Sequence, residues 1–244
     1  MLSKQQIKDI NRLKQKKYRH QEGLFIVEGI KSIKEFLKSD YRLHTLYSTV
    51  DLFSTKDENC EIISEKDLAR ISSYKKPQVG LGVFRIMDEP MPKPSKLSLI
   101  LSDINDPGNL GTLIRLCDWF GIRNIYCSKK TVDPYNPKVV QASMGSLSRV
   151  KLFYTNLKSL MKKQELPVYG AVMDGEPIYG TKLPENALLV IGNEANGIAD
   201  ELYPNIDHRI SIPQFTSSHG AESLNAAMAG SILISEFRRR SFKV

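Results

Sequence analysis

The apolar run Leu97-Ser98-Leu99-Ile100-Leu101 opens into Asn105-Asp106-Pro107-Gly108-Asn109-Leu110-Gly111. The same pattern recurs twice. Ala187-Leu188-Leu189-Val190-Ile191 opens into Gly192-Asn193-Glu194-Ala195-Asn196-Gly197, and Ile210-Ser211-Ile212 opens into Pro213 and then Glu222-Ser223-Leu224-Asn225. Short apolar runs bounded by Gly and Pro read as buried strands, and the polar loops at strand ends are where open α/β sheets hold ligands. Three such ends in one half of the chain predict one site built by convergence.

Outward from these loops, residues 124–127, 150–154, 168–172 and 208–212 are strand-like and alternate with helical stretches. That alternation predicts a parallel sheet with helices on its faces. Upstream, residues 24–27, 43–47, 61–63 and 79–86 read as strands, residues 30–39 keep helical spacing, and Ser64 is placed to cap a short helix. The upstream part is therefore mixed α/β. Between the two lies Glu89-Pro90-Met91-Pro92-Lys93-Pro94-Ser95, whose alternate prolines remove backbone donors and stiffen an extended segment. Division there gives a domain over residues 1–92 and a second over 93–244.

Hydrophobic residues make up 41% of 244, enough for a sizeable core. The net charge of +8 is unevenly placed. In the first twenty residues Lys4, Lys8, Arg12, Lys14, Lys16, Lys17 and Arg19 face only Asp9, and Arg238, Arg239, Arg240 and Lys243 cluster at the far end. Ile7, Ile10 and Leu13 fall at three-residue steps behind Ser3, which predicts a capped amphipathic helix with basic residues between the apolar ones. Either cluster alone reads as a solvated surface. Together, in a chain with a ligand site, they favour a phosphate backbone as partner, with Lys14, Lys16, Lys17 and Arg19 as candidate contacts. The helix lacks a bulky lipid-facing stripe and no apolar stretch approaches ~20 residues, so no membrane association is expected. Cys60, Cys117 and Cys127 fit no disulfide or zinc spacing, and the four histidines are scattered. The expectation is a reduced, cytoplasmic setting without a metal.

In the first loop, Pro107-Gly108 is a turn signal and Asn109 is placed to cap a helix through Leu110, Ile114 and Cys117, with Arg115 early in it. No Gly-Lys-Ser/Thr ending follows, so a phosphate cradle fits poorly; Gly80-Leu81-Gly82 likewise lacks a third Gly, where Arg85 stands. In the second loop, Glu194 ends a strand, and a carboxylate there needs a partner, either Arg115 or a ligand donor. In the third, a helix is expected to open at Ser223 with Asn225 near its start. Its run Ala226-Ala227-Met228-Ala229-Gly230-Ser231 is unusually small. Small residues permit close backbone approach: within one subunit, at a dimer seam, or where a chain threads past itself.

At these loops the sequence resembles the SpoU/TrmH branch of the SPOUT methyltransferases. The matching text is residues 105–115, residues 191–198, and Ile212-Pro213 with Glu222-Ser223-Leu224-Asn225. Residues 18–37, with Phe25-Ile26-Val27-Glu28-Gly29, also resemble the RNA-binding domain that precedes the catalytic domain in many members. The resemblance implies a trefoil-knotted α/β domain, a homodimer, and methyl transfer from S-adenosylmethionine to a ribose 2′-hydroxyl of rRNA or tRNA. It places the cofactor against Gly192, Ile212 and Leu224 and the reacting region at Asn109, Arg115, Glu194, Ser223 and Asn225. The chain departs from the family at Gln214 to Glu222, where members usually carry a shorter loop beginning with Met. A guanidinium stays protonated, so Arg115 is expected to orient the hydroxyl or a phosphate and stabilise developing negative charge, with Glu194 holding it. Two other readings stay open: a non-catalytic RNA-binding protein with this fold, and a methyltransferase acting on a base nitrogen.

Overall fold

The computed structural model describes residues 1–53, 59–215 and 223–239. In chain order it contains α1 (Lys4–Arg12), α2 (Lys16–Glu22), β1 (Leu24–Glu28), α3 (Ile30–Leu37), β2 (Leu43–Ser48), β3 (Cys60–Ile62), α4 (Glu65–Ile71) and β4 (Gly80–Arg85). Then follow β5 (Ser98–Leu101), α5 (Pro107–Trp119), β6 (Asn124–Cys127), α6 (Pro137–Ser143), β7 (Lys151–Tyr154) and α7 (Leu157–Lys162). The last elements are β8 (Val168–Pro177), β9 (Leu188–Ile191), β10 (His208–Ser211) and α8 (Ala226–Arg239). These form two compact units, Met1–Pro90 with Asp133–Arg149, and Met91–Val132 with Val150–Val244. The break at Pro90 falls in the proline-rich segment. The continuous division read from the sequence, 1–92 and 93–244, differs in that the break comes two residues earlier and Asp133–Arg149 packs with the first unit.

In the first unit, β1-β4-β2-β3 form one sheet, antiparallel except for the β2/β3 pair. Ser3 caps α1 through a reciprocal box with Gln6, and Ile10 and Leu13 turn inward against Ile26, Leu68 and Leu81. Gly82 has a packing reason, not a nucleotide one: a Cβ there would lie 2.6 Å from the Phe84 ring. The later segment is held by side chains. The Tyr135 ring lies 4.5 Å from that of Phe25, within a cluster that includes Phe36, Tyr41 and Phe84. Arg19 donates from Nε (3.0 Å) and Nη2 (2.5 Å) to Asp133 Oδ2 and from Nη1 to the Leu13 carbonyl (2.9 Å). Arg19 is 2% exposed. Its placement among the phosphate contacts is therefore corrected: it is an interior cation whose donors are spent inside the unit. The basic run at the sequence level carries no sign of this, because the partner lies 114 residues away.

The second unit holds six parallel strands in the order β10-β8-β9-β5-β6-β7. β5 and β9 are buried along their whole length, as a sheet covered on both faces requires. They are neighbours, so the loops that leave their C-terminal ends emerge side by side. α8 packs on α5, and here the small-residue run resolves to tight packing within one chain. A Cβ on Gly230 would lie 2.6 Å from Leu113 Cδ2 and 3.0 Å from Ile191 Cδ1. Met228, two residues earlier and on another face, is 61% exposed.

Candidate active site

The three loops meet at one side chain. Asp106, not Asn109, caps α5, accepting from the Asn109 backbone N–H at 2.8 Å. Asn109 sits inside the first turn, and its amide is free to reach sideways. Nδ2 donates to Glu194 Oε1 of the second loop, and Oδ1 accepts from Asn225 Nδ2 of the third at 2.8 Å. Asn225 in turn accepts from the Ala227 and Met228 N–H groups at 3.0 and 3.3 Å. The helix thus opens after Asn225 and not at Ser223, whose side chain is exposed. A buried or half-buried amide that satisfies both its donor and its acceptor across two loops fixes their spacing.

The second loop is closed on itself. Asn193 and Gly197 exchange two backbone hydrogen bonds of 2.9 Å, and Gly197 has φ +66°. A Cβ on Gly192 would meet the Gly197 carbonyl carbon at 2.2 Å, so only glycine fits. Asn193, which the sequence reading passed over, donates to the Asp103 carbonyl at 3.0 Å and accepts from the Ala195 N–H at 2.9 Å. It ties this loop to the one after β5. An Asn between Gly and Glu at a strand end was the available signal.

Arg115 lies elsewhere. It is exposed on α5 and makes no hydrogen bond or ion pair among the described residues. The expected Arg115–Glu194 pair is absent because Asn109 takes the carboxylate. The reason is helical geometry: six residues beyond Asn109, Arg115 is displaced by ~9 Å along the axis and about 120° around it.

Beside the junction opens a cavity of about 860 Å³. Gly192, Glu194, Ile212, Ser223 and Leu224 all line it, so the three residues expected to hold a cofactor share one wall system with two of those expected to react. Asn109, Arg115 and Asn225 do not border it. Met173 and Asp174 of β8 do, and the sequence reading missed them because it ended that strand at Val172. Such a volume, mostly apolar with few polar groups, suits a small-molecule ligand. Among the described residues no cluster of His, Cys, Asp and Glu is arranged for a metal ion, and no helix is long and apolar enough to cross a membrane.

Residues 96–235 match the SpoU rRNA Methylase family. The chain belongs to that family. Residues 4–82 of this SpoU-family chain match the MRM3-like substrate binding domain. Among solved structures, a TrmH-family protein from Porphyromonas gingivalis is 41% identical, covers 98% of this chain and 99% of its own, and superposes with a TM-score of 0.90. An AdoMet-bound rRNA methyltransferase from Sinorhizobium meliloti is 27% identical, covers 100% and 97%, and gives a TM-score of 0.88. By sequence, the 23S rRNA (guanosine(2553)-2′-O)-methyltransferase RlmP of Bacillus subtilis is 29% identical across 96% of both chains.

The closed second loop yields a prediction. Gly192→Ala forces a methyl into the Gly197 backbone, and the loop must open to admit it. Overpacking of this kind costs about 1–3 kcal/mol, so S-adenosylmethionine affinity is expected to fall by about ten-fold or more in a binding titration, with the fold retained by circular dichroism.

Proposed function

We propose that this SpoU-family chain transfers a methyl group from S-adenosylmethionine to a ribose 2′-hydroxyl of rRNA or tRNA. The observation that carries the reading is the Asn109 junction, which joins all three family loops beside the 860 Å³ cavity. The cavity fits the cofactor chemically. Val172, Ile191, Ile198, Ile210 and Leu233 offer an apolar bed for an adenine ring, and Glu194 and Asp174 offer acceptors to hydroxyl and ammonium donors. When bound there, the cofactor supplies an activated methyl group. Gly192, Ile212 and Leu224 would hold it, and Ser223 at the rim would position the ribose.

A ribose hydroxyl is a weak nucleophile, and negative charge develops on its oxygen as the proton leaves. Arg115 is assigned to donate hydrogen bonds to that oxygen or to the adjacent phosphate. It is exposed and has no partner among the described residues, which leaves its five donors available to RNA. Glu194, Asn109 and Asn225 act as a brace that keeps the loops in register. Methylation of total RNA with labelled cofactor, followed by digestion, tests the whole reading: label on a sugar 2′-oxygen is expected. Label on a base, or cofactor binding without transfer to any RNA, would support the two alternatives in turn.

RNA recruitment is assigned to the first unit. Lys4, Lys8, Lys16 and Lys17 are exposed there. Lys14 contributes less, because it is half-buried and donates to the Ser72 carbonyl at 2.9 Å; burial lowers its pKa, and the Glu28 charge opposes that only in part. Replacing Lys16 and Lys17 by Ala is expected to reduce the slope of log K for RNA against log salt by about 1.5, as measured by filter binding. An unchanged slope would place the phosphates elsewhere.

A trefoil-knotted second unit, a homodimer and a cytoplasmic setting complete the reading. Trp119 on α5 and Met228 on α8 are 85% and 61% exposed, and large apolar side chains on two packed helices favour a second copy as their cover. Sedimentation should give a dimer that Trp119→Glu weakens.

A further inference from the structure

The part of the cavity wall supplied by β8, the strand between β9 and β10, has an unusual construction. β8 pairs with β9 only through Gly170. Against β10 its register jumps, with Gly170 opposite Arg209 and Glu176 opposite Ile210, so residues 171–175 leave the ladder and rejoin it. Gly175 makes the return possible: a Cβ there would lie 2.6 Å from the Ile210 backbone. A bulge of this kind re-aims side chains. Here it brings Met173 and Asp174 to the cavity.

Among the described residues, Asp174 and Glu194 are the charged side chains that line the cavity, and none of the described Lys, Arg or His residues borders it. Glu194 is braced by Asn109, whereas Asp174 makes no hydrogen bond or ion pair among the described residues. The nearby cation Arg209 lies over the Tyr203 ring, 5.1 Å from its centroid, and does not border the cavity itself.

We infer that Asp174 is a further cofactor-binding residue whose charge makes the cavity prefer S-adenosylmethionine over its demethylated product. The inference rests on the methyl-transfer reading above. S-adenosylmethionine carries a sulfonium and an ammonium against one carboxylate, a net charge of +1. In the transfer the C–S bond breaks, its electron pair stays on sulfur, an O–C bond forms to the ribose, and the hydroxyl proton passes to solvent. The product S-adenosylhomocysteine keeps the ammonium and the carboxylate and is neutral overall. Among the described residues the wall carries two carboxylates and no cation, and such a wall attracts the first species and loses that attraction once the methyl has gone. Glu194 belongs to the loop junction; Asp174 does not touch it, so its charge can be removed separately.

Calorimetric titration of the full chain with each ligand tests this. Asp174→Asn is expected to weaken S-adenosylmethionine about five-fold, the scale of an exposed charge pair, and to leave S-adenosylhomocysteine within about two-fold. The difference should shrink in high salt, because Asp174 is exposed. Asp174→Glu should keep the wild-type ratio, and Asp174→Lys should shift it further in the same direction. Retained binding of the neutral product shows that the variants fold. Equal loss of both ligands, or no change in either, overturns the inference while wild-type binding keeps the cofactor reading intact. If the wild-type chain binds neither ligand, the cofactor reading itself falls.

Discussion

Arg115→Ala is expected to lower turnover on RNA by about two to three orders of magnitude while leaving S-adenosylmethionine affinity unchanged. The magnitude is that of removing one preorganised donor aimed at a developing oxyanion. The separation of the two effects follows from position. Arg115 does not line the cavity and contacts none of the residues that do through a hydrogen bond, so truncating it leaves the cofactor wall as it was. It is also exposed on α5, so truncation removes no core packing and little stability is at stake. Arg115→Lys should recover only a small part of the rate. A lysine restores the charge but not the planar fork that can hold a hydroxyl and a phosphate at once. Single-turnover rates at saturating cofactor, beside a direct titration of cofactor, read the two quantities separately. Wild-type rates in the alanine variant would remove Arg115 from the chemistry; a parallel loss of cofactor affinity would make it a structural residue of the loop.

The strands of the second unit were open to reading because of how a parallel sheet is buried. With helices on both faces, β5, β6 and β9 bury nearly every side chain and so appear as unbroken apolar runs. The convergence of their loops was legible for the same reason, since all the strands run one way and their polar ends gather on one edge. What escaped was set by contacts distant in sequence. Asn109 and Asn225 are 116 residues apart, and nothing local shows that Asn109 is released from capping by Asp106. Arg115 and Glu194 invited pairing by charge, yet the helical offset hands Glu194 to an amide. β8 was cut short at Val172 because Met173-Asp174-Gly175-Glu176 breaks the apolar run, and that break is where the strand bulges to meet the cavity. Local polarity in a strand of this kind marks a ligand wall as readily as a strand end.

The segment Asp133–Arg149 is the other feature the sequence concealed, and it carries the second large expectation. Arg19→Met and Asp133→Leu are each expected to destabilise the first unit by about 3–5 kcal/mol, as breaking a buried ion pair does. Asp133 is 6% exposed and both its oxygens are engaged, Oδ2 by Arg19 and Oδ1 by the Tyr135 N–H at 3.0 Å. Removing Arg19 leaves that carboxylate in the interior with one backbone donor. Removing Asp133 leaves a guanidinium whose remaining partner is the Leu13 carbonyl at the end of α1. The double variant should recover much of the loss, because two apolar side chains of similar bulk need no desolvated partner. Hydrogen exchange resolves the effect by unit. Amides of α1, β1 and α6 should lose protection in each single variant, while those of β5 and β9 should keep it. The coupling energy from the four-member cycle should be strongly favourable and nearly independent of salt, since the pair lies away from solvent. Single variants within about 0.5 kcal/mol of wild type would mean that the aromatic cluster around Tyr135, and not the ion pair, holds the segment. Either outcome bears on RNA binding. If the pair is the clasp, losing it should impair RNA affinity by loosening α1 and α2, with cofactor affinity unaffected. That pattern is the reverse of the one expected from Gly192→Ala.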